Sequence, residues 1–324
     1  MIPAPFPWFG GKRKVAAEVW ARFGGVANYV EPFFGSGAVL LGRPDPTGTE
    51  TINDLDGYVA NFWRAVKHAP DETADWADGP VNENDLHARH VWLLQQRESL
   101  RPRLEGDPEF YDAKIAGWWV WGMACWIGPG FCSGNGPWWV DDDRKLVHLG
   151  DAGRGVNRKL VHLGDAGHGE PAARVGAWFT ALADRLKRVR VCSGDWSRIC
   201  GPSVTWKHGL TGVFLDPPYA DTSDRQRDLY RVDSVDVAHL VREWAVANGD
   251  HPLLRIALCG YEGEHQIPAT WSVHRWSAGE GFGGQAADRS GNGLRERIWF
   301  SPHCLAVAQP DLFDAAAEGL AQPP

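Results

Sequence analysis

The sequence predicts an α/β fold with a doubly wound sheet, interrupted by a mainly helical insertion. Two observations carry that prediction. Strand-like and helix-like runs alternate over residues 1–67 and again from about residue 171, the texture of helices layered on a mostly parallel sheet. A glycine-bearing turn also joins the first strand-like run to a helix, and an acid, Asp54, follows Gly37 by seventeen residues at the end of the next strand-like run. Doubly wound sheets open such strand ends onto one crevice.

Taken in order, residues 27–31 (Ala-Asn-Tyr-Val-Glu) form a short apolar strand candidate, and a helix starts at Ser36 to Leu41 after Gly35 and Gly37. Glu50 to Asn53 reads as a strand and Leu55 to Val66 has helical spacing, with Asp54 or Asp56 available to cap it. The texture then changes. A helix candidate at Asp85 to Leu100 precedes a Trp- and Gly-rich stretch, 118–139, with poor periodicity; it holds six of the eighteen tryptophans and reads as a compact aromatic core or as a base-stacking surface. From Ala172 a helix runs to Arg188, followed by strands at Val189 to Cys192 and Gly212 to Leu215 and a helix at Ser234 to Ala247. Further strands lie near Leu253 to Leu258, Trp271 to Trp276 and Arg297 to Phe300. The expected organisation is a discontinuous domain of residues 1–67 and 171–304, an inserted module of 68–170 and a tail of 305–324.

Composition excludes several classes. No apolar run approaches a membrane span, and Pro3, Pro5 and Pro7 stand where a signal peptide would place charge and then apolar residues, so the expectation is a cytoplasmic protein, monomeric in solution. The six cysteines form no C-x-x-C pair, so no metal site and no disulfide framework is expected. The 33 basic and 41 acidic side chains give a net charge of −8, against the basic footprint usual in nucleic-acid binders. Residues 144–190, however, carry ten Lys or Arg against four acids, which is either a basic face on an acidic protein or a solvated helix. Within that region RKLVHLGDAGRG at 144–155 recurs as RKLVHLGDAGHG at 158–169, a β-ribbon or duplicated loop, with a neutral duplication as the plainer account.

Three motifs carry chemistry. In Glu31-Pro32-Phe33-Phe34-Gly35-Ser36-Gly37 the glycines let the backbone approach a ligand at a helix N-terminus, although Leu40 stands where a dinucleotide fingerprint wants Gly or Ala. Asp54 sits where an acid holds ribose hydroxyls. Asp216-Pro217-Pro218-Tyr219 ends an apolar strand with a carboxylate, two residues of fixed φ and a ring.

Together with Trp8-Phe9-Gly10-Gly11-Lys12, these motifs, in this order, resemble the Dam-like adenine-N6 DNA methyltransferases. The resemblance covers roughly residues 5–66 and 172–302. It implies a Rossmann-like S-adenosylmethionine-dependent sheet, double-stranded DNA as substrate, and a target-recognition module in the insertion. It implies cofactor contacts from Trp8, Lys12, Glu31, Phe33, Gly35, Gly37 and Asp54, with Asp195 and Trp196 against the cofactor's adenine. Asp216 and Pro217 would accept the two N–H groups of a flipped adenine while Tyr219 stacks on it. Arg144, Lys145, Arg158 and Lys159 in the repeat, with Arg225 and Arg227 in a loop after the signature, are the candidate DNA contacts, a solvated loop being the alternative for the last two. Bacteria or phage-infected hosts, and a restriction-modification setting, are the implied context. Cytosine-N4 and other amino-group methyltransferases share the geometry but usually carry Ser or Asn in place of Asp216; a catalytically silent relic is the non-enzyme reading.

Overall fold

The computed structural model describes residues 2–6, 8, 11–126, 131–132, 138–140, 146–148, 171–219, 234–276 and 295–306. Its centre is a mixed seven-stranded sheet: β1 (Asn28–Glu31), β2 (Thr49–Asp54), β5 (Val189–Ser193), β6 (Thr211–Leu215), β7 (Leu254–Tyr261), β8 (Ser272–Arg275) and β9 (Glu296–Phe300). In space the strands run β5-β2-β1-β6-β7-β9-β8, the first five parallel and β9 antiparallel to both neighbours. The chain first winds outward from β1 to β5 and then returns to pair β6 with β1, so the two directions of winding part between β1 and β6.

Both faces are covered. Every residue of β1 and β6 is buried, as strands sandwiched between helix layers require. Strand alternation sends Tyr29, Ile52, Phe214, Ala257, Cys259 and Ile298 into one core and Val30, Val213, Leu215, Ile256 and Leu258 into the other. The second core is closed by Val241 and Ala245 of α8 (Ser234–Asn248). The first is much larger. It takes in α1 (Ala16–Phe23), α3 (Gly57–His68), α4 (Pro70–Ala77), α5 (Glu83–Gly106), α6 (Ala113–Cys125) and α7 (Pro171–Leu186), so three helices of residues 68–126 share one continuous core with α3.

The strands and the longer helices lie within a few residues of their sequence expectations. The Trp-rich stretch does not: its first half is α6, not irregular chain. Asp112 caps it by accepting from Ile115 N at 2.8 Å, and then Ile115, Ala116, Trp119, Val120 and Trp121 are buried all round, which erases the polar–apolar period. Gly117 is needed there because a Cβ would come within 2.8 Å of the Thr73 carbonyl oxygen of α4. Helices α1 and α4 were also not expected; they are two-turn elements, too short for a clear period.

A second correction concerns charge. Arg185, counted toward a basic face, turns inward: its guanidinium makes bonds of 2.6 and 2.7 Å to the two oxygens of buried Glu50, which also binds Arg43 at 2.9 Å. The short antiparallel ribbon of β3 (Trp138–Val140) and β4 (Leu146–His148) includes the first repeat copy's Leu-Val-His; the rest of that copy and all of the second lie outside the described residues. No helix among the described residues is long and apolar enough to cross a membrane.

Candidate active site

The carboxyl ends of β1, β2, β5 and β6, with the start of antiparallel β9, gather the candidate residues at one edge of the sheet. Asn53 ties three of these ends together, its amide donating to Pro32 O at 3.2 Å and Gly194 O at 2.9 Å. From β1 the chain turns through Gly35 (φ 47°) and Gly37 (φ 72°, the N-cap) into α2 (Ala38–Leu41). Gly35 is fixed from above and below. A Cβ there would stand 2.7 Å from Trp8 Cδ1, and its carbonyl accepts from Trp63 Nε1 at 2.9 Å. Trp8 thus lies on the glycine turn.

Glu31 lies beneath this turn. It is 2 % exposed and accepts from the Tyr29 hydroxyl at 2.8 Å. Burial holds its carboxyl well above the usual range, against the opposing pull of the Tyr29 hydrogen bond.

Asp54 ends β2 and receives backbone donors, Gly35 N on Oδ2 and Asp56 N on Oδ1, each at 2.9 Å, with the Leu55 amide a third. The capping alternative falls to its neighbour: Asp56 accepts from Tyr58 N and starts α3. Asp54 is pushed up to about 7, by burial first and by the nearby Asp56 charge second. With about four lone-pair sites on a carboxylate, acceptor capacity is left for a further donor. Across the edge, Phe33 and Trp196 stack at 6.3 Å between ring centres. Asp195 is exposed and caps the 3-10 turn of Trp196–Ile199 by accepting from Ser197 N at 2.9 Å.

On the other side of β1, Lys12 reaches into the sheet edge from a 3-10 turn, 4 % exposed, with Nζ 2.9 Å from Asp216 Oδ2 and 3.9 Å from Glu296 Oε2. Burial lowers its pKa, but Asp216, Cys259 and Glu296 raise it by more, and the net shift is upward, so the ammonium stays charged. The other Asp216 oxygen accepts from the Tyr219 hydroxyl at 3.2 Å, and the Cys259 thiol also bonds Asp216. The Tyr219 ring meets Tyr261 edge-on at 4.5 Å, while the Lys12 ammonium lies 5.4 Å from the Tyr219 ring and 5.5 Å from that of Trp276.

The structure therefore brings Trp8, Glu31, Phe33, Gly35, Gly37, Asp54, Asp195 and Trp196 to one half of the edge and Lys12, Asp216, Pro217 and Tyr219 to the other. Arg144, Lys145, Arg158, Lys159, Arg225 and Arg227 lie outside the described residues. Sequence reading missed Asn53 as a clamp, Cys259, Tyr261, Trp276 and Glu296. For Glu296 a signal was present: in Glu-Arg-Ile-Trp-Phe, period-2 alternation puts it on the same face as Ile298 and Phe300, and a carboxylate on a buried face needs a reason.

The grouping can hold an extended ligand that is polar at Asp54 and aromatic at Phe33 and Trp196, beside a second, ring-lined space bearing a carboxylate. Residues 8–99 match the D12 class N6 adenine-specific DNA methyltransferase family, a stretch that includes Trp8, Lys12, the glycine turn and Asp54 and ends before Asp216. No curated protein matches the chain.

Proposed function

We propose that this adenine-N6 DNA methyltransferase, which takes its methyl group from S-adenosylmethionine, works with Asp216, Pro217 and Tyr219 on the target base and the β1–β2–β5 edge on the cofactor. The observation that carries the division is the placement of both halves on either side of β1, where the winding of the sheet reverses. The strand order and the covered faces support a doubly wound, Rossmann-like sheet.

The donor set fits the cofactor. Asp54 retains acceptor capacity for a ribose hydroxyl, the Phe33–Trp196 pair offers a face for adenine beside Asp195, and the turn at Gly35 and Gly37 brings backbone close under Trp8. Glu31 serves by holding that turn from below. When bound, the cofactor supplies an electrophilic methyl on a sulfonium.

The chain's own residues do the rest. An adenine amine is a poor nucleophile because its lone pair is delocalised into the ring, so acceptors must fix both N–H groups and turn that lone pair toward the methyl. We assign this to the Asp216 carboxylate and the Pro217 carbonyl, with the two prolines, whose φ is fixed, keeping the turn extended. Tyr219 is positioned by its bond to Asp216 and its contact with Tyr261, and stacking on the extruded base offsets part of the unstacking cost. Lys12, bonded to Asp216, sets that carboxylate's orientation. Sequence-specific recognition falls to the inserted residues 68–170, with the basic repeat and the loop holding Arg225 and Arg227 as phosphate contacts, in a bacterial or phage context with or without a restriction partner.

Incubation with labelled cofactor and unmodified double-stranded DNA, followed by nucleoside analysis, tests the reading. Label in N6-methyladenine is expected; label in cytosine would remove the substrate assignment.

A further inference from the structure

We propose that Glu296 is a positioning residue of this site: its carboxylate competes with Asp216 for the Lys12 ammonium and, once ionised, draws it away so that Asp216 can accept the target amine. The inference rests on the reading of Asp216 as the acceptor for that amine. Glu296 is the first residue of β9, 5 % exposed, opposite Tyr261 of β7, on the sheet face that also holds Cys259 and Ile298. Among the described residues its Oε2 has no hydrogen-bond partner, an expensive state for a buried carboxylate. The nearest cation is Lys12 Nζ at 3.9 Å, beyond hydrogen-bond range, whereas Asp216 holds the same nitrogen at 2.9 Å. A small swing of the ammonium between the two carboxylates converts one arrangement into the other.

The competition matters because Asp216 is already engaged by Lys12 on Oδ2, by Tyr219 on Oδ1 and by the Cys259 thiol. An incoming amine must displace or share one of these donors, and the Tyr219 hydroxyl is tied to the stacking ring. Lys12 is the donor with another carboxylate in reach. Among the described residues the groups facing Glu296 are Lys12 from the N-terminal turn, Asp216 after β6 and the Cys259 thiol on β7, while neighbouring Arg297 is bound to Glu262. Burial raises the Glu296 carboxyl, Lys12 lowers it and Asp216 raises it, leaving it at about 7. Its folded value lies above its ordinary one, so it is neutral below about 7, leaving Lys12 on Asp216, and ionised above.

The test pairs turnover with a readout that needs none. In protein carrying [13Cε]lysine, the Lys12 resonance, assigned by its loss in Lys12→Arg, is expected to step between pH 6 and 8; Glu296→Gln is expected to abolish the step and Glu296→Asp to retain one. In parallel, the methylation rate of the parent enzyme is expected to rise through the same pH range at saturating cofactor, and Glu296→Gln to stay at the acid-side rate while binding S-adenosylmethionine normally. A flat Lys12 resonance in the parent protein, or a step unchanged in a Glu296→Gln protein that still binds cofactor, overturns the proposal. Absence of methyl transfer by the parent enzyme would instead count against the reading of function, leaving the resonance to decide the coupling.

Discussion

The Lys12 ammonium and the Asp216 carboxylate are bonded at 2.9 Å at the buried edge of the sheet, joining residues 204 positions apart. The contact links the N-terminal motif to the signature that follows β6. Removing one partner of such a pair strands the other charge, at a cost of about 3–5 kcal/mol where burial is complete. Lys12→Met is therefore expected to lose up to about that much stability at pH 7.5 and less at pH 5, where the stranded carboxyls take up protons. Urea unfolding at the two pH values checks it.

Asp54 gives a pH dependence to cofactor binding. Its carboxyl is raised to about 7, so at lower pH it is protonated and offers one acceptor fewer to the ribose hydroxyls. Affinity for S-adenosylmethionine is expected to rise as pH increases through 7, and Asp54→Asn to flatten that rise. Apo stability has the opposite sign, because a raised carboxyl in the folded chain favours folding at low pH and loses that contribution as pH climbs toward 7. Titration calorimetry from pH 6 to 8.5 measures the first effect, and thermal melts of apo protein the second.

Gly35 adopts a left-handed conformation beneath Trp8. Gly35→Ala is expected to cost about 1–2 kcal/mol from the backbone alone, and more as the indole is displaced. Weaker cofactor binding should accompany it, with a change in tryptophan emission.

For Tyr219 the ring and the hydroxyl separate cleanly. Tyr219→Phe keeps the stacking face and loses the 3.2 Å bond to Asp216, so a modest fall in rate is expected. Tyr219→Ala is expected to weaken capture of the extruded base by about 1–3 kcal/mol, visible as reduced fluorescence enhancement with 2-aminopurine at the target position.

How much of this was legible in the sequence depends on range. The strand ends, the glycine turn and Asp216-Pro217-Pro218-Tyr219 were readable because each is a local pattern of φ-restricted or apolar residues. The capping role was narrowed to Asp54 or Asp56 and resolved by the structure, since both stand within three residues of the start of α3. Helix α6 was hidden because burial on all sides leaves no polar face to set a period. Arg185 looked like surface charge until Glu50, 135 positions away, was found to hold it. Tyr261 and Trp276 were missed for the same reason: the end of β7 and the chain after β8 reach the site through strand pairing, which no short window of sequence displays, whereas the alternation in β9 did mark Glu296 as buried but not what it faces.

The central claim is that Asp216 fixes the amine while other residues hold the cofactor. Single-turnover methyl transfer by Asp216→Ala, with S-adenosylmethionine affinity measured on the same preparation, tests it most directly. The account predicts a rate at least about 100-fold lower, the scale set by removing a group that positions the reacting atom, with cofactor affinity unchanged. Methyl transfer at the parent rate in that variant would contradict it.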